Sequence, residues 1–382
     1  MKIALAKESR PGETRVALTP DAVKALVNDD WRVEVQRDAG VRAHFTNEDY
    51  EAAGAHIVDE PTGDVTIRVN APSVEEVNRL KEGSLHLSFL SPLLALDAVK
   101  ALNERRITVL SFDLLPRISR AQYMDALSSQ STVSGYRAAL AGATYLDRFF
   151  PLLTTAAGTI RPAKVLVMGV GVAGLQAIAT AKRLGAKVRA YDVRSAAKEE
   201  AESAGATFVQ LGVTADAAGG YARELTDDER AGLQAALLSE VAGSDVVITT
   251  AAVPGRKAPI LVTTAMVEAM SEGSLIIDMA ADGGGNVELT KVGEVLEHHG
   301  VRIVGLANPP AEMGTHASFM YANNVLKLLA LFGSKGQLNP DWNDEIVIGV
   351  TVAHEGHINH APTAEALGVD HVAITPVVKE SE

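Results

Sequence analysis

Cysteine is absent from the 382-residue chain, so disulfides, a thiolate nucleophile and any Cys-ligated metal centre are excluded. Aromatic residues are scarce at 4%, although 47% of the chain is hydrophobic. The core must therefore rest on aliphatic and small residues, which suit close packing of helices on sheets. Long apolar runs are missing as well. The most apolar stretch, Leu85 to Leu102, is interrupted by His86, Pro92, Asp97 and Lys100, far short of the ~20 uninterrupted residues that span a bilayer. Basic residues are in deficit, 35 against 48 acidic ones, and the formal charge of -13 argues against nucleic acid or an anionic membrane surface as partner. The opening MKIALAKESRPGE reads as a short strand entering a charged loop and lacks the apolar segment of a signal peptide. Neither a low-complexity linker nor an internal repeat is visible.

What is present is alternation. The β-rich runs KIALA, RVEVQ, VTIRV, SLHLS and TVLSF are separated by helical patterns such as PDAVKALV and LDAVKAL, the signature of βαβ units and a parallel sheet. From Lys164 the pattern restarts with AKVLVMGV, AKVRAYDV, SDVVITTA, GSLIIDMA and VRIVGLA. Two Rossmann-like α/β domains joined by long helices are expected, with helices over Ser131 to Phe150 and His316 to Phe332. The tail carries two further strand-like runs, EIVIGVTV and HVAITPVV, too few for a third domain. The expected division is residues 1–128 with 315–382 as a discontinuous first domain, and 129–314 as the second. A tail packed on the second domain stays open as the alternative. Two segments, Gly212 to Ala222 and Ala281 to Asn286, look flexible.

In VLVMGVGVAGLQAIATAKRLGA a hydrophobic strand runs into Gly169, Gly171 and Gly174 and then a helix-forming stretch, G-x-G-x-x-G in its required context. Gly169 permits the tight turn, Gly171 lets backbone approach a pyrophosphate, and Gly174 lets helix and sheet lie close. Around Val172 and Ala173 the helix N-terminus offers unpaired N–H groups and partial positive charge to phosphates. The following strand ends at Asp192 and Val193, where the acid that accepts ribose hydroxyls in an NAD site belongs. Arg194 leaves NADP open, yet the carboxylate would repel a 2′-phosphate, so the cofactor read here is NAD(H). Ala251, after the next long strand, is expected to border the crevice, with simple turn chemistry as the competing explanation.

Further segments carry a resemblance. Lys7 to Pro20 (KESRPGETRVALTP), Pro116 to Ser131 (PRISRAQYMDALSSQS), Gly169 to Ala186, Asp192 to Arg194 and Ala218 to Ala222 (AGGYA) resemble the NAD(H)-binding component of proton-translocating nicotinamide nucleotide transhydrogenase, as far as about residue 305. The first of these and the glycine motif are shared with alanine dehydrogenases, whereas Pro116 to Ser131 is specific. The resemblance implies direct hydride transfer from NADH to NADP⁺ held by a partner subunit, coupled to proton movement by a membrane-spanning component. A homodimer bound peripherally at the cytoplasmic face is implied too. It assigns Arg117, Asp125 and Ser128 to the nicotinamide and its carboxamide, Gln122 to a reach toward the other nucleotide, and Tyr221 to a mobile loop that closes over NAD(H). Spacing alone would instead read this stretch as a solvated helix start with a Ser119–Gln122 capping box.

Two other functions compete. An alanine dehydrogenase-like enzyme needs a proton donor and a cation for its oxo acid, but where those enzymes carry a lysine and a histidine this chain has Arg68 and Asn70 in VTIRVNAP and Phe89 in LHLSFLSP. His86, three residues away, would face the other side of its strand. An NAD(H)-sensing regulator would not need the loop from Arg117 to Ser128. The segment HEGHINH, with His354, His357 and His360, breaks the H-E-x-x-H pattern and reads as a loop, so no metal site is expected.

Overall fold

The computed structural model describes residues 1–211, 226–251 and 257–374. The chain divides into two compact units, Met1–Gln130 with the residues from Ala311 onward, and Ser131–Pro310.

In the first unit, β1 (Lys2–Leu5), β2 (Arg32–Gln36), β3 (His56–Val58), β4 (Val65–Ile67), β5 (Leu85–Ser88) and β6 (Thr108–Ser111) form a parallel sheet. Helices α1 (Pro20–Asn28), α2 (Asn47–Ala52), α3 (Val74–Asn78) and α4 (Leu96–Glu104) make the crossovers. Side-chain oxygens start three of them: Thr19 caps α1, and Thr46 and Ser73 form capping boxes with Asp49 and Glu76. The chain after the second unit comes back to this sheet. Strand β18 (Thr351–His354) pairs antiparallel with β6, and β19 (His357–Ile358) pairs antiparallel with β18, giving the order β19-β18-β6-β5-β4-β1-β2-β3. Before them, α10 (Gly314–Phe332) buries Tyr321, Val325, Leu328, Leu329 and Phe332 against the core on one face of the sheet.

The second unit holds β9 (Lys164–Met168), β10 (Lys187–Tyr191), β11 (Thr207–Phe208), β12 (Val246–Thr249), β13 (Leu275–Asp278), β14 (Val295–His298) and β15 (Val301–Gly305) in the order β11-β10-β9-β12-β13-β15-β14. All pairs are parallel except the edge hairpin β14–β15. Two-residue alternation splits the core: Val165, Val167, Ile248 and Ile277 pack in one layer, and Leu166, Met168, Val247 and Ile276 in the other. Strands buried on both faces explain why these runs read as continuous apolar stretches rather than alternating ones. The helices are α6 (Val172–Arg183), α7 (Ala197–Ser203), α8 (Asp227–Ala242) and α9 (Thr264–Glu268). Small antiparallel pairs, β7 (Leu153–Thr155) with β8 (Gly158–Ile160) and β16 (Gly333–Ser334) with β17 (Gln337–Leu338), complete the strands among the described residues.

Four expectations about local structure need correction. The long helix is α5 (Ala126–Tyr145), which starts and ends about a turn earlier than Ser131 to Phe150, because Asp125 caps it: its carboxylate accepts from the Ser128 N–H at 2.9 Å. EIVIGVTV is mostly helix, α11 (Glu345–Val350), where the Asp344 side chain accepts from Ile346 N–H and overrides the strand preference of Ile and Val. HEGHINH is no plain loop: His354 and His357 face each other across the β18–β19 turn, whose Glu355 and Gly356 sit at φ 52° and 85°, while His360 precedes α12 (Ala361–Leu367) and bonds to Thr363. HVAITPVV contributes a single bridge at His371, and its end lies outside the described residues.

Candidate nicotinamide-nucleotide site

The order β10-β9-β12 makes a topological switch point beside β9, where ligands enter open α/β sheets. Gly169 leaves β9 at φ +99°, and a Cβ there would stand 2.7 Å from Thr250 Oγ1. Thr250 Oγ1 donates to Gly169 O at 2.9 Å and so ties the glycine turn to the end of β12. At Gly174 a Cβ would stand 1.9 Å from Gly169 O, so helix and turn touch backbone to backbone. Gly171 differs: its φ of −76° suits any residue, and among the described residues a Cβ would meet nothing within 4 Å. It is the N-cap of α6, without a side-chain cap. A helix N-terminus without a side-chain cap is where free amides and the helix dipole can meet a pyrophosphate.

Asp192 lies one residue past β10. Its Oδ2 accepts from Val170 N–H at 2.7 Å, bracing the glycine turn, and Oδ1 accepts from Arg194 N–H at 2.9 Å. The Arg194 guanidinium also bridges both oxygens, from Nε to Oδ1 and from Nη2 to Oδ2, each at 2.9 Å. For the carboxylate to accept two ribose hydroxyls, that guanidinium must turn aside. Val193 is half-buried against the layer containing Leu166 and Met168.

Ala251 is not merely a small turn residue. Asn286 Oδ1 accepts from its N–H at 3.0 Å, and Asn286 Nδ2 donates to its carbonyl and to that of Pro259, both at 2.8 Å. Asn286 is in turn held by Asp278, fully buried at the end of β13, whose Oδ2 accepts from the N–H groups of Asn286 and Val287 and whose Oδ1 accepts from Thr249 Oγ1. Far from loose, ADGGGN is therefore the brace behind the crevice wall. Sequence reasoning missed Asp278, Asn286 and Thr250, because no local spacing links a strand-end acid to an amide eight residues on. Gly135 of α5 was missed too; a Cβ there would stand 2.0 Å from Ala173 O.

In the first unit, Arg117 and Gln122 are exposed, the latter in a 3₁₀ turn, Ser119–Met124. Ile118, not Ser119, precedes that turn, and the expected capping box is not formed. Asp125 and Ser128 do come together, through the N-cap bond and a second from Ser128 Oγ to Asp125 Oδ2 at 2.5 Å. Tyr221 lies outside the described residues, as does Ala218 to Ala222.

The residues weighed against an oxo-acid enzyme, Arg15, Arg68, Asn70 and Phe89, are all engaged within the first unit. Arg15 is buried and committed to Glu13, by Nε at 2.8 Å and Nη2 at 2.7 Å, and to Gln130 at 3.0 Å. Burial of Glu13 would raise its pKa, but the hydrogen bonds and charge of Arg15 outweigh this and hold it at about 2. Asn70 Nδ2 donates to both Glu8 and Glu13. Arg68 pairs with Glu76 at 2.8 Å. Burial raises the Glu8 carboxyl against the opposing charge of Arg68. Phe89 packs on Phe112 and Tyr321, with ring centroids 5.8 and 5.3 Å away. His86 is fully buried, bonded among the described residues through Nε2 to Ser88, and burial, with the charge of Arg68, pushes its pKa down to about 3. A neutral, enclosed imidazole of this kind is structural.

The family models for the alanine dehydrogenase/PNT N-terminal and C-terminal domains match residues 4–134 and 138–361. The chain belongs to this family, among the NAD(P) transhydrogenase alpha subunits. It is 46% identical over 376 residues to an NAD(P) transhydrogenase alpha-subunit chain of Rhodospirillum rubrum, covering 94% of this chain and 98% of that one. A solved transhydrogenase structure from Sinorhizobium meliloti, 38% identical, superposes with a TM-score of 0.83 over 95% of this chain and all of the other. An L-alanine dehydrogenase structure, 25% identical, follows at 0.79 over 96% of this chain and 99% of that one. As an alpha subunit in this family, the chain is a nucleotide-binding oxidoreductase component with a two-domain Rossmann-like fold. Among the described residues no helix is long and apolar enough to cross a membrane.

Proposed function

We propose that the chain binds NAD(H) on its second unit and transfers hydride directly from NADH to NADP⁺ held by a partner subunit, with a membrane-spanning subunit coupling the transfer to proton translocation. The carrying observation is a contrast between two sites. Among the described residues, the switch point of the second sheet has an uncapped helix N-terminus open at Gly171, near Asp192, whereas in the first unit Phe89, where alanine dehydrogenases carry a histidine, packs on Tyr321, and Arg15 is paired with Glu13. A cofactor cradle without a proton donor suits hydride exchange between two nucleotides, which needs no acid or base, and not reduction of an imine.

In this reading the amides around Gly171, Val172 and Ala173 hold the pyrophosphate, with Gly169 and Gly174 setting the turn. Asp192 accepts the adenosine ribose hydroxyls once Arg194 moves off, and Val193 and Ala251 flank the nucleoside. Arg117, Asp125 and Ser128 orient the nicotinamide carboxamide; the Asp125–Ser128 bond keeps one acceptor and one donor in fixed relation for it. Gln122 reaches toward the NADP(H) of the partner, and Tyr221 closes over the bound NAD(H). Orientation is the catalytic contribution, since the two C4 atoms must come within roughly 3 to 3.5 Å. The assembly proposed is a homodimer held peripherally at the cytoplasmic face by the membrane subunits.

The test mixes the full chain and NADH with thio-NADP⁺ and the isolated NADP(H)-binding subunit, with pyruvate plus ammonium as the control acceptor. Thio-NADPH formation that needs both proteins, with no use of pyruvate, is expected. NADH oxidation by pyruvate and ammonium without a partner would overturn the proposal.

A further inference from the structure

Away from the nucleotide crevice, three side chains of the second unit converge at one end of its sheet. Glu268 is the last residue of α9, His298 the last of β14, and His299 the first residue of the turn into β15. His298 stands opposite Val301, which leaves His299 and Gly300 as a two-residue turn with φ of +49° and +68°. Positive φ at both positions is the tight hairpin geometry that matches strand twist. The turn is pinned to the segment after α9: Gly273 N–H donates to Gly300 O at 2.8 Å, and Glu272 Cγ lies 2.9 Å from where a Cβ on Gly300 would be. All three side chains thus stand on backbone that is fixed mutually.

Glu268 Oε1 lies 3.0 Å from His298 Nε2 and 3.7 Å from His299 Nε2, and one ligand atom from each residue falls within 4.8 Å of the others. A tetrahedral zinc ion with bonds of about 2.0–2.1 Å holds its ligand atoms about 3.3–3.4 Å apart. The two carboxylate–imidazole separations bracket that value. Both imidazoles offer the same nitrogen, their rings are 4.8 Å apart, and the partial exposure of all three residues leaves room for water at the fourth position.

We propose that Glu268, His298 and His299 form a surface site for a divalent transition ion of the zinc class, which clips the tip of the edge hairpin β14–β15 to the end of α9. Two imidazoles and one carboxylate favour zinc, nickel, copper or cobalt over magnesium or calcium, which require a shell of oxygens. The site is independent of the nucleotide reading: it touches none of the residues assigned to NAD(H). In HEGHINH, the histidine-rich stretch that attracts attention in the sequence, His354 bonds to Thr108 and stacks on Trp342, while His360 bonds to Thr363. EHHG, with only two, finds its third ligand thirty residues away in the chain.

The test uses tag-free full chain stripped of metal, titrated with ZnCl₂ against a chromophoric chelator, with thermal unfolding followed in parallel. One saturable equivalent is expected, with a rise in Tm on zinc addition. Glu268→Gln and His299→Asn, the latter chosen because asparagine tolerates the left-handed turn, should each weaken binding at least tenfold and abolish the rise. His354→Gln should change neither. Replacement of zinc by cobalt should give the intense visible absorption of a four-coordinate ion. Absence of saturable binding, or binding that survives in both Glu268→Gln and His299→Asn, would overturn the proposal. Melting of these two variants without metal shows directly whether they are folded.

Discussion

Gly171→Ala should weaken NADH binding while leaving the fold intact. A methyl at this position meets no atom of the described residues within 4 Å, and the backbone φ of −76° already suits alanine. Gain of chain stiffness favours the variant by about 0.4–1 kcal/mol, and the poorer N-cap preference of alanine takes back a similar amount, roughly 0.5–1 kcal/mol. Stability should therefore change by less than about 1 kcal/mol. The same methyl stands where a phosphate must approach the amides of α6. Forcing one extra methyl into such a contact costs about 1–3 kcal/mol, which is about 5- to 150-fold in Kd. Gly174→Ala is the contrasting case. Its Cβ would lie 1.9 Å from Gly169 O and 2.9 Å from Gly169 C, both backbone atoms, so helix and sheet must separate and folding itself suffers. NADH titration by fluorescence, beside thermal unfolding of both variants, separates the two effects. Wild-type affinity in Gly171→Ala, or destabilisation equal to that of Gly174→Ala, would refute the assignment of this helix end to the pyrophosphate.

Asn286→Ala should cost about 2–4 kcal/mol by urea unfolding, because it strands the Ala251 and Pro259 groups it now satisfies. Asp125→Ala should lower stability by about 1 kcal/mol as a lost helix cap, yet reduce thio-NADPH formation far more if its carboxylate also serves the carboxamide; equal, small effects on both would leave only the capping role. His86 titrates near 6.5 when unfolded and about 3 when folded, so the fold favours its neutral form. The stability this represents is complete above pH 6.5 and is lost as pH falls toward 3, by at most about 1.4 kcal/mol per pH unit. His86→Leu should remove that slope, seen as parallel unfolding midpoints across this range. Arg194→Ala should tighten NADH binding if its ion pair with Asp192 competes with the ribose, and an unchanged Kd would show that the pair yields at no cost.

Much of this arrangement is legible in residues. Strands such as VLVMG and LIIDM announce themselves because β-branched and aliphatic runs between turn residues suit strands buried on both faces, and Gly169 and Gly174 are readable because each answers a separate steric demand, whereas Gly171 meets none within the described residues. What stayed hidden depends on contacts distant in sequence or on single caps. Asp125 decides where α5 begins, and Asp344 turns EIVIGV into a helix, each by one hydrogen bond to a backbone amide. The Asp278–Asn286–Ala251 brace joins three segments that only the fold brings together. Gly135 looks like any helical glycine until α6 is seen against it. The roles of Arg117, Gln122 and Tyr221 rest on likeness to relatives, since their geometry toward two nucleotides is a property of an assembly rather than of a pattern in one chain.

Direct hydride transfer between two nucleotides is tested most plainly with isotope. NADH carrying deuterium at the transferred C4 position is mixed with the full chain, NADP⁺ and the NADP(H)-binding subunit, and the NADPH formed is analysed by mass. Complete retention of deuterium in NADPH, only when both proteins are present, is the expected result. Deuterium washed into water, or recovered in alanine when pyruvate and ammonium are supplied without the partner, would contradict it.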